Sequence, residues 1–260
     1  MSCRKKGALF IAVLALAIFF PGTMSHSGEA SLIAQGNELW AQRDNMEKTK
    51  EAIALWENAA KDQPKNELLW IKIAEAYHWI NENTPMDKKQ EKVELCKKGM
   101  EAAKMAIKAN PESVGGWFWL AVIQGRITEA VGILRGGFDF GLCLNATLMV
   151  ASKDISFYYG GLYRYWGRII WSVPAIGRKI ASFSLLDSVN NYKKSLEIEP
   201  DFFMTRLYLA ETYIKIGDKE KAEKELNYIV NTPADVLPEY APDNRLYQRQ
   251  AKKLLERLKG

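Results

Sequence analysis

Two arginines and a tyrosine form the pattern in this chain that is best suited to binding chemistry. Arg164 and Arg168 are one helical turn apart, which places both side chains on one helix face beside Tyr165. Guanidinium groups in this arrangement can bind a carboxylate through paired N–H···O hydrogen bonds. The same spacing leaves an alternative open, in which the arginines form structural salt bridges to acids of a neighbouring helix.

Nucleophilic and metal chemistry have little support in the sequence. His78 is the only histidine outside the N-terminal leader described below. A single histidine cannot build a multi-histidine metal site, and it leaves any Ser–His or Cys–His mechanism with one candidate base. No phosphate-binding glycine loop, nucleophile elbow or paired-cysteine motif appears. We therefore expect no catalytic residues, no metal and no cofactor, in a protein that is not an enzyme.

These side chains lie in helical hairpins. The region Phe202–Thr232 predicts two helices joined at Gly217-Asp218. In each helix a small residue lies among large apolar ones, which suits a close helix crossing. The residues concerned are Leu209, Ala210 and Tyr213, followed by Ala222, Leu226 and Ile229. This spacing is typical of a tetratricopeptide unit, which cannot bury its apolar face without neighbouring units.

Four further units precede this one. Pro64, Pro111 and Pro200 each follow a helical stretch, where proline ends a helix because it lacks an amide donor. A final amphipathic helix from Asn244 to Leu258 is predicted to cap the array. The predicted fold is all-α: a tetratricopeptide-like helical-hairpin solenoid of about five degenerate repeats plus a C-terminal capping helix, spanning residues 28–260.

A groove in such a solenoid is lined by the first helix of each unit. Residues beside the packing positions, but rotated off the core, are the candidates for binding a ligand or a partner. They are Ile71, Glu75, His78, Trp79, Phe118, Trp119, Val122, Arg164, Tyr165, Arg168, Tyr208 and Glu211. Large amphipathic side chains on a concave surface suit an apolar ligand or a peptide. Core packing is the alternative for each of them.

Three units carry extra residues between their helices, at about 81–91, 127–138 and 172–184. Insertions of this size in a compact helical array are often functional. The stretch from Trp171 to Ile180 is apolar with Arg178 and Lys179 between the apolar residues. It could form a lid, a partner contact, or a loop folded back onto its own helices.

Residues 1–27 have the layout of a secretory signal peptide. Arg4, Lys5 and Lys6 precede an uncharged run from Gly7 to Phe20, which is shorter than the roughly 20 residues that span a bilayer. We expect an exported, periplasmic protein, with an uncleaved anchor as the alternative. Cys3 lies before the apolar run, so it cannot be the acylated cysteine of a bacterial lipoprotein, and membrane attachment stays open.

The net charge bears on whether the chain binds nucleic acid, and the cysteines bear on whether it contains a disulfide. Without residues 1–27 the chain loses three cations and no acid, so its formal charge falls from +5 to +2. No dense stripe of basic residues remains, which argues against nucleic acid. Cys96 and Cys143 lie in helices of different units, where two buried thiols are favoured and a disulfide is the alternative.

The segment from Tyr158 to Arg168, with its glycine pair, arginine and Gly-Arg ending, resembles the signature of the TRAP transporter T-component family. The resemblance extends from about Leu32 to Leu258 and includes Trp117 to Ala121. It implies an exported accessory of a solute uptake system, with an apolar cavity and a periplasmic solute-binding protein as partner. It also implies self-association, with a trimer as the expected form. The layout is also similar to that of eukaryotic regulators of microtubule dynamics.

Two hypotheses for function follow. In the first, the chain is a periplasmic helical-repeat binding protein that serves a TRAP-type transport system and binds a solute-binding protein, an apolar ligand, or both. In the second, it is a tetratricopeptide scaffold for assembly of cell-envelope proteins, with a peptide or helix in its groove. An enzyme is disfavoured, because no nucleophile–base pair or cofactor motif is visible.

Overall fold

The computed structural model of the protein describes residues 25–132 and 139–259, and these form helices without any strand. The helices of the first three units are α1 Ser25–Trp40, α2 Met46–Asp62, α3 Glu67–Asn83, α4 Lys89–Ala109, α5 Val114–Val131 and α6 Phe140–Lys153. Those of the remaining units are α7 Phe157–Ser172, α8 Ala175–Ile180, α9 Leu185–Ile198, α10 Phe203–Ile216, α11 Lys219–Asn231 and α12 Ala241–Lys259. Two short 3₁₀ turns, Ala234–Val236 and Pro238–Tyr240, precede α12.

The helices pair as five antiparallel hairpins: α1 with α2, α3 with α4, α5 with α6, α7 with α9, and α10 with α11. The predicted solenoid of five tetratricopeptide-like hairpins is therefore confirmed. The insertions differ from the predicted loops, because helices extend into the first two and a short helix lies within the third. For example, α5 continues to Val131, and α8 lies within the insertion of the fourth unit. Residues 133–138 of the second insertion fall outside the described part.

The three prolines set the start of the next unit as well as the end of the preceding one. The carbonyl oxygen of Pro64 accepts a hydrogen bond from the indole Nε1 of Trp70 at 3.0 Å, and that of Pro111 accepts one from Trp117 Nε1 at 2.8 Å. At the third proline the Nε of Arg206 donates to the Pro200 carbonyl at 2.8 Å. In each case a side chain six residues later closes the turn between units, which explains why prolines and large residues recur in register.

Small residues allow the helices to approach closely. A Cβ atom on Gly167 of α7 would lie 2.6 Å from the ring of Tyr192 on α9, so any larger residue would force these two helices apart. Ala210 is fully buried in α10. Gly217 ends α10 with a φ of +94°, a left-handed conformation that favours glycine, and the predicted turn to α11 follows at Asp218.

The C-terminal helix α12 packs on α10 and α11, as expected for a capping helix, but it also reaches the first unit. Asp243, near the start of α12, accepts a hydrogen bond from Arg43 Nε at 2.7 Å. Next to it, Arg245 pairs with Asp44 at 2.6 Å. Arg43 and Asp44 lie in the turn between α1 and α2. The two ends of the described array therefore contact each other, which the sequence pattern did not predict.

Two further sequence predictions concern the N-terminal leader and the state of the two cysteines. Residues 1–24, which hold nearly all of the predicted signal peptide, lie outside the described part, and α1 begins at Ser25. Within the described ranges, none of the helices has the length and apolar character required to cross a bilayer. Cys96 and Cys143 are both buried and not joined by a disulfide, which agrees with the favoured interpretation.

Candidate functional site

A cavity of about 670 Å³ lies between the first helices of four successive units. We call it the inner cavity. Its walls come mainly from α5 and α7, with His78 from α3 and with Met204 and Tyr208 from α10. The segment that follows α7, from Val173 to Pro174, forms part of its rim. The position agrees with the expectation that first helices line a groove, because these helices face the inside of the array.

The structure brings eight of the twelve predicted binding residues to the inner cavity. They are His78, Phe118, Trp119, Val122, Arg164, Tyr165, Arg168 and Tyr208. Glu211 lies instead on a polar pocket of about 160 Å³ that shares Arg168 and Tyr208 with the inner cavity. Whether any of these residues binds a ligand stays a prediction.

Ile71, Glu75 and Trp79 lie elsewhere on α3. Ile71 packs against Gly115 of α5. Trp79 is buried, and its indole donates to the carbonyl oxygen of Arg43 at 2.9 Å. Glu75 lies among Arg43, Asp243 and Tyr158. These three side chains therefore make contacts within the repeat array. Consecutive residues of a helix point in directions about 100° apart, so a neighbour of a cavity residue can lie on another face.

Aromatic rings build the apolar wall of the inner cavity. Trp119 contacts Phe118 at 5.1 Å between ring centroids, and the imidazole of His78 meets Trp119 edge-on at 5.1 Å. Burial lowers the pKa of His78 well below its usual value, and the nearby charges of Arg126 and Lys92 lower it further. His78 is therefore a neutral ring at pH 7 and adds no positive charge to the cavity.

Arg164 holds the chain in an unusual turn. Tyr158, Tyr159 and Gly160 all have φ between +52° and +68°, a left-handed conformation that costs about 1–2 kcal/mol per non-glycine residue. Arg164 is buried and donates to the carbonyl oxygens of Tyr158 at 2.8 Å and of Tyr159 at 3.0 Å. Its guanidinium also lies 4.3 Å from the centre of the Phe202 ring. Both terminal nitrogens of Arg164 thus donate to protein groups.

Arg168 belongs to a group of charges that we call the charge network: Glu82, Arg126, Glu129, Arg168 and Glu211. Arg168 pairs with Glu129 at 2.9 Å and with Glu211 at 2.6 Å, while Arg126 pairs with Glu82 at 2.9 Å and with Glu129 at 2.7 Å. The salt-bridge alternative for Arg168 is the arrangement found. With three acids and two arginines, the network has no cation left for a carboxylate ligand.

Glu129 is the centre of this network. Burial alone would raise its pKa, but the guanidinium groups of Arg126 and Arg168 outweigh burial and lower the pKa to about 2. The hydroxyl of Tyr208 accepts a hydrogen bond from Arg126 at 2.7 Å and so joins α10 to α5. The network therefore ties together the four inner helices on one side of the inner cavity.

Two buried donors lie in the walls of the inner cavity rather than at its surface. Within the described residues, Arg168 Nε and the indole Nε1 of Trp171 have no hydrogen-bond partner, and both atoms have almost no accessible surface. The walls that do face the cavity are mostly aromatic and aliphatic, and they suit an apolar group.

Sequence reasoning missed Glu129 because it assigned residues 127–138 to an insertion, and it missed Arg126, which directly precedes that stretch, because the candidate positions on this helix stopped at Val122. Val122 was predicted to face the groove, and Arg126 follows it by four residues, with Glu129 three residues later. Continuing the helical period of α5 by two turns would have found both.

Comparison with known families decides which resemblance holds. The family model for regulator of microtubule dynamics proteins 1–3 matches residues 32–259. The chain belongs to this family. Family membership thus covers all five hairpins and α12.

Individual relatives of the chain carry the name of the same family. Regulator of microtubule dynamics protein 3 from Rattus norvegicus is 25% identical over 233 residues, which cover 86% of this chain and 48% of the relative. The Mus musculus protein of the same name is 23% identical with the same coverage. This chain therefore spans about half the length of the curated relatives it matches.

The fold also has a counterpart among solved structures. A thermophilic tetratricopeptide-repeat protein from Thermus thermophilus matches with a TM-score of 0.58 and 19% identity, covering 86% of this chain and 98% of that chain. At this identity the likeness concerns the fold alone. It supports the assignment of the hairpins as tetratricopeptide-like.

Two expectations from the sequence are wrong. The chain is not a TRAP transporter T-component, because the family that matches is that of the regulators of microtubule dynamics. An exported, periplasmic location is also wrong, because the relatives are mammalian proteins and a periplasm belongs to the bacterial envelope. The segment from Tyr158 to Arg168 misled because it encodes a left-handed turn held by Arg164. The solute-binding protein and the trimer rested on the same resemblance and lose that support.

Proposed function

We propose that this member of the family is a non-enzymatic scaffold that binds an apolar segment of a partner protein in the inner cavity. The observation that carries the proposal is the cavity of about 670 Å³ between four inner helices, with mostly apolar and aromatic walls. Cavities of about 300–1,000 Å³ are typical of binding sites.

The tetratricopeptide-like architecture supports a protein partner, because stacked hairpins leave a surface on which extended or helical segments can lie. The relatives are named as regulators of microtubule dynamics. We place the partner of this chain in that process, with the repeat array as the part that holds it. Since the chain matches about half of each relative, the array is one part of what those proteins contain.

A pair of variants at Gly125 tests this function. Gly125 lines the inner cavity, and a Cβ atom there would lie 3.7 Å from Ile169 and Tyr165, an ordinary contact. Gly125→Phe should therefore fill the cavity, whereas Gly125→Ala should leave it open. With a photo-crosslinking residue at Val122, we expect one defined protein adduct in cells, lost in Gly125→Phe and kept in Gly125→Ala. Equal adducts in both variants, or none in either, would contradict the proposal.

An apolar small molecule is the second candidate occupant, favoured by the same aromatic walls and by the neutral state of His78. The charge network leaves no cation for an acid, so the molecule would be uncharged. Native mass spectrometry of the purified protein tests it: a bound mass that Gly125→Phe removes and Gly125→Ala retains would favour this candidate over a peptide.

A further inference from the structure

The region around α8 has the most exposed apolar surface in the described part of the chain. Ile176 and Ile180 lie one turn apart on α8 and are 74% and 81% exposed, the highest values for large apolar side chains in the described residues. Phe183 and Leu186 follow, with 48% and 61% exposure. We call these four residues the α8 patch. Exposed apolar clusters of this kind mark interaction surfaces.

The charges around the α8 patch are mostly positive. From Trp171 to Leu186 there is no acidic residue, whereas Arg178 and Lys179 lie between the two isoleucines in the sequence. Asp187 follows the patch, and its carboxylate accepts hydrogen bonds from the backbone N–H and the hydroxyl of Ser184. Lys215 of α10 reaches the same region, where its Nζ donates to the carbonyl oxygen of Trp171 at 2.8 Å. Burial lowers the pKa of Lys215, and the like charges of Arg178 and Arg168 lower it further. Acidic groups from outside would relieve this repulsion.

The α8 patch directly follows the rim of the inner cavity along the chain. Trp171, Val173 and Pro174 line the cavity, and α8 begins at the next residue, Ala175. No residue of α8 is buried, so the helix contributes little to the core of the fourth unit. Lys179 is next to Ile180, whereas the guanidinium of Arg178 turns back and donates to the carbonyl oxygen of Val173 at the cavity rim.

We infer that the α8 patch is a docking surface for an acidic segment of a partner protein, whose apolar side chains contact Ile176 and Ile180 while its carboxylates pair with Arg178 and Lys179. The inference rests on the proposed function, because the same partner would extend into the inner cavity. A lipid bilayer fits the geometry less well: α8 has six residues, and a bilayer surface cannot enter the cavity whose rim directly precedes the patch.

Selection from a displayed library of random 16-residue peptides tests the inference with the whole chain as bait. We expect the retained peptides to carry a net negative charge and at least two large apolar residues. Affinities of two such peptides are then measured by fluorescence anisotropy. Ile176→Ser/Ile180→Ser and Arg178→Glu/Lys179→Glu should each weaken binding at least tenfold, and the second variant should bind a copy of the peptide with lysine in place of its acids.

Leu148→Ser is the matched control, because Leu148 on α6 is 58% exposed but distant in sequence from α8; it should leave the affinity unchanged. Retention of neutral or basic peptides, failure to retain any, or equal binding by all variants would overturn the inference. So would flotation of the chain with vesicles of phosphatidylcholine and phosphatidylserine that depends on Ile176 and Ile180. The crosslinking experiment separates the two proposals. If the adduct is lost in Gly125→Phe but persists in the α8 variants, the proposed function is supported and only the docking surface is refuted.

Discussion

Arg43 and Asp243, which are 200 residues apart in the chain, form a buried ion pair that joins the first unit to the last helix. Their side chains are only 4% and 7% exposed. The guanidinium of Arg43 also lies 4.7 Å from the ring centre of Trp40 and 5.7 Å from that of Tyr240. A repeat array is normally held together by neighbouring units alone. Here the two ends also stabilise each other, which should make unfolding more cooperative.

Asp243→Ala should destabilise the fold by about 3 kcal/mol, because it removes the buried group that accepts the hydrogen bond from Arg43 Nε and leaves that guanidinium without its partner on α12. Urea unfolding followed by circular dichroism measures this change. The control is Asp44→Ala, which removes the more exposed pair with Arg245 at the same junction and should cost less than about 1 kcal/mol. Equal effects of the two variants would show that burial of the Arg43 pair has no energetic role.

Glu75 should make the fold less stable at pH 8 than at pH 5. Burial raises its pKa from 4.5 to about 7, Asp243 adds to the rise, and Arg43 opposes it. Because the folded chain holds this proton more tightly than the unfolded chain, stability falls as the pH rises from about 4.5 through 7. The pKa of Asp243, raised by burial to about 6, acts in the same direction.

Glu75→Gln removes this ionisation, so it should raise stability at pH 8 by on the order of 1–3 kcal/mol and reduce the difference between pH 5 and pH 8. Melting temperatures at the two pH values provide the measurement. Glu51→Gln, an exposed change on α2, is the control. An unaltered pH dependence in Glu75→Gln would refute the assignment.

Gly160→Ala should destabilise the protein more than Gly217→Ala. Both glycines have positive φ, so alanine is strained at either position. At Gly160, however, the added Cβ would also lie 3.0 Å from the backbone Cα of Ser195, whereas at Gly217 it would meet nothing within 4 Å. We expect a loss of about 1 kcal/mol from strain alone at Gly217 and a larger loss at Gly160. Chemical denaturation of the two variants decides the order.

Arg164→Met should reduce stability by about 2–4 kcal/mol, because the carbonyl oxygens of Tyr158 and Tyr159 lose the buried donors that hold the left-handed turn. Arg164→Lys should retain part of this stability, since an ammonium can still donate to one carbonyl. The readout is the urea midpoint of each variant. If Arg164→Met kept wild-type stability while ligand or peptide binding fell, the arginine would be a binding residue, as the sequence first suggested.

Ala210→Trp should disrupt the fifth hairpin, because Ala210 is fully buried where α10 meets its neighbours and a large ring has no space there. A fall in the melting temperature of more than about 5 °C is expected from overpacking by 1–3 kcal/mol. Ala151→Trp, at an exposed position of α6, is the control and should change the melting temperature little.

The repeat architecture was readable from the sequence because it depends on local spacing. Pro64, Pro111 and Pro200 end helices by their own chemistry, and Gly217 permits the left-handed turn after α10. Aromatic and small residues at helical intervals then indicate which faces pack together. Eight of the proposed binding residues reach one cavity for the same reason, since they share the inner faces of successive first helices.

Only the tertiary structure decided which charges meet. The sequence places Arg164 and Arg168 on one helix face, but it does not specify that Arg164 turns back to the carbonyl oxygens of Tyr158 and Tyr159 while Arg168 reaches Glu129 and Glu211. The pairing of Arg43 with Asp243 depends on how five hairpins stack, and small angles at each crossing add up along the array. Spacing along one helix is a local property, whereas contacts between distant helices depend on the packing of every unit between them.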